Sequence, residues 1–227
     1  MVVAVHQPQY LPWLGYFDKI DRADIFVFLD NVQFKKNEWQ NRNRIKTARG
    51  WQWLTVPVKY RYPMLICEVE INNSSRWQHK QAQAIKTNYG RALHYHYLDD
   101  FFEELFKRSW ELISQLNQFV VRRLAEILGI NTPIFVASEL GDFPQDPDER
   151  LIAITSYLGA DTYLAGSGGR EYMNTSKFAE SGVELVFQDY LHPVYSQVFG
   201  EFEPYMSIID LILNNGRNSL NILRGEE

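Results

Sequence analysis

A strand, a short helix and a second strand fit within the first thirty residues, and this opening limits the fold more than any other feature of the chain. Residues 2–6 are a β-branched apolar run stopped by Pro8 and Pro12. Between residues 13 and 23 the apolar side chains Leu14, Phe17 and Ile20 recur at a spacing of three, the signature of one helical face. Asp24-Ile25-Phe26-Val27-Phe28-Leu29-Asp30 is then a continuous apolar run bracketed by acids, which reads as a strand buried on both faces. A βαβ start of this kind predicts a parallel sheet with right-handed crossovers. The fold class is therefore read as α/β, with a Rossmann-like parallel sheet as its core.

The pattern changes after the second strand. Residues 31–50 are polar and basic, and a turn at Ala48-Arg49-Gly50 predicts a hairpin whose second strand spans residues 51–58. A further strand is expected over 65–71, and helices over 76–88 and 98–128. Leu112, Leu116, Phe119, Arg123 and Ile127 mark one face of the second of these helices, and Gly129 ends it. A short strand at 134–137 precedes a helix that Asp146-Pro147 caps and that runs to Leu158. A strand at 162–165, a glycine-rich loop, a helix at 175–181, a strand at 183–187 and a helix at 205–214 complete the chain. The reading is a single α/β domain over 1–227, with a helical subdomain at about 75–130 and a small β-hairpin section.

Charge and cysteine content narrow the function. The chain carries 23 Lys and Arg against 28 Asp and Glu, a net −5, which argues against nucleic acid or an anionic membrane as the main partner. Cys67 is the one cysteine, so neither an intrachain disulfide nor a cysteine zinc site can form. No stretch approaches the ~18 apolar residues of a membrane helix, and the opening Met1-Val2-Val3-Ala4-Val5 lacks the basic leader of a signal peptide. The expectations are no membrane insertion and a cytoplasmic protein.

In open α/β sheets ligands bind beyond the carboxyl ends of the strands. Three such ends carry chemistry: His6 to Tyr10, Asp30 to Lys36, and Gly166-Ser167-Gly168-Gly169-Arg170. Parallel strands would place all three on one rim. His6 can act as general acid or base or contact a phosphate, and it can equally satisfy a local carbonyl. Asp30 can hold a ribose or sugar hydroxyl, orient His6 or hold a magnesium ion through water, or it can cap the next turn. Lys35, Lys36, Arg42 and Arg44 are a positive cluster in an acidic chain, suited to a phosphate or carboxylate. Asn41 and Asn43 flank Arg42, and Trp39 can stack on a ring. The glycines 166–169 allow backbone amides to approach a phosphate that Arg170 would neutralise. The loop is neither a Walker loop nor a G-x-G-x-x-G fingerprint, and the chain has no G-x-S-x-G elbow and no H-E-x-x-H helix.

The run His6-Gln7-Pro8-Gln9-Tyr10-Leu11-Pro12-Trp13-Leu14-Gly15-Tyr16-Phe17, followed by Leu29-Asp30-Asn31-Val32-Gln33-Phe34, Trp39-Gln40-Asn41-Arg42-Asn43, Trp53-Leu54-Thr55-Val56-Pro57-Val58 and Tyr163-Leu164-Ala165-Gly166-Ser167-Gly168-Gly169, resembles the WbqC-like protein family. The likeness extends to Phe202–Asp210 and so covers nearly the whole chain. The resemblance implies a link to bacterial polysaccharide and O-antigen (lipopolysaccharide) gene clusters, and hence nucleotide-sugar chemistry. A fainter likeness joins the opening to nucleotidylyltransferases and pantothenate synthetase, which activate a carboxylate or phosphate with ATP. This implies ATP with magnesium as cofactor, although the paired histidines of those enzymes are absent here.

These readings converge on a transferase or ligase acting on a nucleotide-linked amino sugar, including amide formation from an acyl or aminoacyl donor. His6, Asp30 and Lys35 are the catalytic candidates. Gln7, Tyr10, Trp13, Gly15, Gln33, Lys36, Trp39, Asn41, Arg42, Asn43, Gly166, Ser167, Gly168, Gly169 and Arg170 are the binding candidates. No metal site is expected. The alternative is a non-catalytic sugar or nucleotide-sugar binding protein that uses its loop aromatics.

Overall fold

The computed structural model describes residues 1–226. Its centre is a five-stranded sheet of β1 (Val2–His6), β2 (Ile25–Phe28), β7 (Ile134–Val136), β8 (Thr162–Ala165) and β9 (Glu184–Phe187), in spatial order β7-β2-β1-β8-β9. Every pairing is parallel, as the opening predicts. Strand alternation divides the apolar residues between two faces. Ala4, Phe26, Phe28 and Leu164 join one core with α1 (Leu14–Asp21), α4 (Ile113–Leu128) and α8 (Ile208–Asn215). Val3, Val5, Val27, Tyr163 and Ala165 join the other with α5 (Ala137–Leu140), α6 (Pro147–Tyr157) and α7 (Thr175–Ser181). Crossovers β1–β2–β7 run outward in one direction over the first face, and β7–β8–β9 return over the second. That is what a constant crossover hand requires when the direction of travel reverses.

Between β2 and β7 lie the hairpin β3 (Arg42–Thr47) and β4 (Gly50–Thr55), the two-residue strands β5 (Val58–Lys59) and β6 (Glu70–Ile71), and helices α2 (Trp77–Tyr89), α3 (Asp99–Lys107) and α4. Their buried side chains, Trp77, Tyr89, Phe101, Trp110 and Leu116 among them, belong to the same core as the first sheet face. A short helix α9 (Ser219–Arg224), absent from the sequence reading, closes the chain. Its Arg224 pairs with Asp21 of α1 at 2.8 Å.

Several expectations need correction. Residues 65–71 are a single helical turn (Ile66–Glu68) followed by β6, because Ile66 and Cys67 donate to the carbonyls of Val32 and Asp30 rather than to a strand neighbour. The helix expected over 98–128 is two helices. Residues 108–112 are pulled straight, with the Ile71 N–H donating to Glu111 O and the Ile113 N–H to Val69 O. The buried stripe of α4 is Ile113, Leu116, Val120, Val121, Leu124 and Leu128, turned from the expected face, and Arg123 stays at the surface in ion pairs with Glu104 and Glu126. The strand over 51–58 is interrupted at Pro57, which has no N–H to give a ladder. The last long helix starts at Ile208, since Tyr205 has φ +60° and Ser207 caps the helix through Ile209 N–H. Among the described residues no helix is long and apolar enough to cross a membrane.

Candidate functional site

The chain turns outward in opposite directions from β1 and from β8, and a crevice opens between their carboxyl ends. A cleft of about 840 Å³ occupies this switch point, within the ~300–1,000 Å³ usual for small-molecule sites. His6 and Gln7 at the end of β1 form one side, and Gly166 to Gly169 after β8 form the other. The glycine-rich stretch is a helical turn, Ser167–Glu171, rather than an open loop.

The loop after β1 is held in place by buried amides. Asn43 Nδ2 donates to Leu11 O at 2.8 Å, Asn117 Nδ2 donates to Pro8 O at 3.1 Å and to Gln40 O at 2.8 Å, and Gln40 Nε2 donates to Gln7 Oε1 at 2.6 Å. These bonds sustain a φ of +45° at Leu11, a conformation that costs a non-glycine residue about 1–3 kcal/mol. Asn43 and its neighbour Asn41, whose Nδ2 donates to Val56 O, thus position the loop and lie beneath the surface. Tyr10 is wholly buried, with its hydroxyl donating to Gln81.

His6 Nδ1 lies 3.1 Å from Gln7 O, a contact that needs the proton on Nδ1 and leaves Nε2 as an acceptor. Burial, and then the charge of Lys19, push its pKa down to about 3, so the ring is neutral at physiological pH. The ring packs edge-on against Tyr16 at 4.8 Å, and Tyr16 donates to Gln7 O.

Lys19 is the residue that sequence reasoning missed. α1 is buried on all sides, from Leu14 through Ile20, so its lysine cannot reach solvent. Only 3% of Lys19 is exposed, its Nζ donates to Val5 O at 2.9 Å, and it lies 5.8 Å from the Tyr163 ring centroid. Its neighbour Asp18 is held elsewhere, by Arg22 and Gln188. Desolvation brings the lysine pKa down to about 7. The available signal was the i, i+3 pair Tyr16 and Lys19, on a helix too short and too enclosed to keep a polar face.

Trp13, Gly15, Gln33 and Lys35 also line the cleft, as do Asn31, Arg150, Tyr172 and Gln188, which the sequence reading did not single out. Gln33 is tied through Nε2 to Met64 O, and the Lys35 side chain is exposed at the mouth. The remaining candidates lie elsewhere. Asp30 is 2% exposed and turns toward α5, where it accepts from Ser138 N–H at 3.0 Å and Ser138 Oγ–H at 2.8 Å. β2 stands one strand beyond the switch point, and its terminal acid caps the turn after β7. Arg170 lies over Phe187 at 4.7 Å. Lys36, Trp39 and Arg42 belong to the hairpin side of the molecule and do not line the cleft.

Trp13 forms an aromatic wall with Tyr190, His192 and Tyr205 at 5.8–6.2 Å. A Cβ on Gly15 would lie 2.2 Å from the Trp13 ring. Gly15→Ala should therefore push this ring out of the wall, costing about 1–3 kcal/mol. Thermal unfolding should report the loss and indole fluorescence the displaced ring; an unchanged spectrum and melting temperature would contradict this packing.

The cleft lining contains three basic side chains, Lys19, Lys35 and Arg150, and among the described residues no Asp or Glu. Among the described residues no group of three or more His, Cys, Asp or Glu side chains is placed to hold a metal. Residues 7–222 match the model of the WbqC-like protein family. The chain belongs to that family. The WbqC-like likeness read from the motifs thus holds over nearly the whole chain. The chain is also similar to the uncharacterized protein Rv1507c of Mycobacterium tuberculosis (strain ATCC 25618 / H37Rv), with 34% identity over 226 residues that span 98% of this chain and 97% of that protein. No solved structure matches it. In WbqC-like terms, the long first motif runs from the last residue of β1 through its clamped loop into the first half of α1, and supplies His6, Gln7, Trp13, Gly15 and Tyr16 to the cleft.

Proposed function

We propose that this WbqC-like protein is a transferase or ligase that acts on a nucleotide-linked amino sugar in bacterial surface polysaccharide biosynthesis, forming an amide with an acyl or aminoacyl donor. The observation that carries the reading is the charge of the cleft. A chain of net −5 lines its switch-point crevice with Lys19, Lys35 and Arg150 and with no carboxylate. Such a site favours an anion of nucleotide size, with the diphosphate between the glycine turn and Lys19.

The catalytic chemistry follows from His6. A bound phosphate neutralises Lys19 and so removes one of the two causes that hold the imidazole pKa down. Nε2 is then a better proton acceptor when ligand is present. In the amide-forming step the sugar amine attacks the activated acyl carbon of the donor, an N–C bond forms, the bond to the donor's leaving group breaks with its electron pair going to that group, and His6 Nε2 takes the amine proton and delivers it to the departing group. ATP with magnesium fits less well as a protein-held cofactor, because the lining offers no carboxylate to bind the ion directly.

A thermal-shift panel with uridine diphosphate, amino-sugar nucleotides, ATP with magnesium, neutral sugars and free amino acids tests the reading. Ligand at 100 times its Kd should stabilise by about 2.7 kcal/mol, or several degrees. Stabilisation by amino-sugar nucleotides, with mass-spectrometric appearance of an acylated product when a donor is added, is the expected result. Stabilisation by neutral sugars alone would contradict it, and a ligand always recovered unchanged would make the protein a binder.

A further inference from the structure

The β3–β4 hairpin has two unlike faces. In its register Asn43 faces Leu54 and Ile45 faces Gln52, and Asn43, Ile45 and Leu54 are buried against the core. The opposite face carries Arg42, Arg44 and Lys46 from β3 and Thr55, Trp53 and Trp51 from β4. Lys46 is covered, donating to Glu201 O; Arg42, Arg44 and Trp53 are half-buried, with Arg44 Nη2 donating to Tyr205 O at 3.4 Å, while Trp51 and Thr55 are exposed and an exposed Trp39 extends the face.

Cations and indoles interleave there. The Arg42 guanidinium lies 4.1 Å from the Trp53 ring centroid, and that of Arg44 lies 5.0 Å from Trp51 and 5.8 Å from Trp39. The stacked guanidiniums are fixed in place, yet Nε of both arginines is buried without a hydrogen-bond partner. Among the described residues Lys35, Lys36, Arg42, Arg44 and Arg49 form no ion pair. The indole N–H groups of Trp77 and Trp110 are bonded within the protein, whereas those of Trp39, Trp51 and Trp53 have no partner among the described residues. The patch is thus a preorganised surface of hydrogen-bond donors with unneutralised positive charge, on a chain whose net charge has the opposite sign.

We infer that this face is a second binding site, distinct from the cleft, for an acidic oligosaccharide whose carboxylates meet Arg42 and Arg44 and whose sugar rings rest on Trp39 and Trp51. The geometry favours a sugar chain over single-stranded nucleic acid. Trp39 and Trp53 are tilted by 52°, and Trp51 and Trp53 by 78°, so successive flat bases have no parallel planes to stack on. Puckered sugar rings need no such series, and a carboxylate takes two parallel hydrogen bonds from a guanidinium edge. The inference does not depend on the chemistry assigned to the cleft.

Binding of tetragalacturonate, followed by indole fluorescence and calorimetry at low and high salt, tests it. The wild-type protein should bind, more weakly as salt rises, and neutral maltotetraose should bind at least tenfold more weakly. Arg44→Gln and Trp51→Ala should each weaken binding at least tenfold with the fold retained by circular dichroism, while Lys19→Met should leave it unchanged. No binding to the wild-type protein, equal binding to both variants, or loss in Lys19→Met would overturn the inference. Tighter binding of a ten-residue oligothymidylate than of tetragalacturonate would do so as well, and would reassign the face to nucleic acid.

Discussion

Lys19→Met is expected to weaken binding of uridine diphosphate sharply while making the free protein more stable at neutral and mildly acidic pH. Both effects have one cause. The lysine is buried with no carboxylate partner among the described residues, and holding its pKa at about 7 instead of 10.5 corresponds to roughly 5 kcal/mol in favour of the neutral amine. Below pH 7 the folded and unfolded chains both carry the proton, and the folded state bears the full penalty. Between pH 7 and 10.5 the unfolded chain binds more protons, so wild-type stability rises with pH across that window. Methionine carries no charge and fills a similar volume, so the rise should disappear. The gain near pH 6.5 should be about 1–4 kcal/mol, the range seen when unfavourable buried charge is replaced by apolar packing. Loss of a charged partner for the ligand should weaken binding by at least about 30-fold. Thermal unfolding between pH 6 and 10, with calorimetric titration of uridine diphosphate, reads both. A variant that is less stable at every pH and still binds would contradict the role given to Lys19.

The second large effect is structural. Asp210, wholly buried on α8, accepts from Tyr89 OH at 2.6 Å, Tyr195 OH at 2.9 Å and Gln197 Nε2 at 2.7 Å. Tyr89 OH in turn accepts from the Lys46 N–H of β3. This carboxylate therefore ties helix α2, the hairpin and the 195–207 segment to α8. Burial raises its pKa, and the three donors pull it back only in part. Asp210→Ala strands two phenols and an amide in the core and should cost about 3–5 kcal/mol, or on the order of 10 °C in Tm. Asp210→Asn keeps one acceptor oxygen, which can serve Tyr195 and Gln197 at the Oδ2 position while its NH₂ replaces the acceptor of Tyr89, so it should fall between alanine and wild type. Equal melting temperatures for the three proteins would show that the network is not the tie described.

How much of this was legible in the sequence depends on distance along the chain. β1, α1 and β2 are local, and their hydrophobic spacing alone identified the parallel core. His6 and Gly166 to Gly169 were each recognisable as strand-end residues. Their adjacency was not, because it comes from β8 pairing with β1 across some 160 residues. The same missing information misplaced Asp30: only the strand order shows that β2 lies one step from the crevice. Lys19 escaped notice because an eight-residue helix with a lysine reads as amphipathic until its neighbours enclose it. Asn41 and Asn43 looked like ligand-binding amides because nothing local reveals that carbonyls of Val56 and Leu11 already occupy them. The break at 108–112 comes from the backbone pairing of residues 69–71 with 111–113, and the turn at 66–68 from Ile66 and Cys67 donating to the carbonyls of Val32 and Asp30, long-range bonds that no local periodicity encodes.

The most direct test of the central claim is an NMR titration of the Lys19 side chain, followed through the ¹³Cε resonance of labelled lysine with and without uridine diphosphate. The account predicts a midpoint near pH 7 in the free protein that moves upward when the diphosphate binds. An ordinary lysine midpoint in the free protein, or one that uridine diphosphate leaves in place, would contradict it.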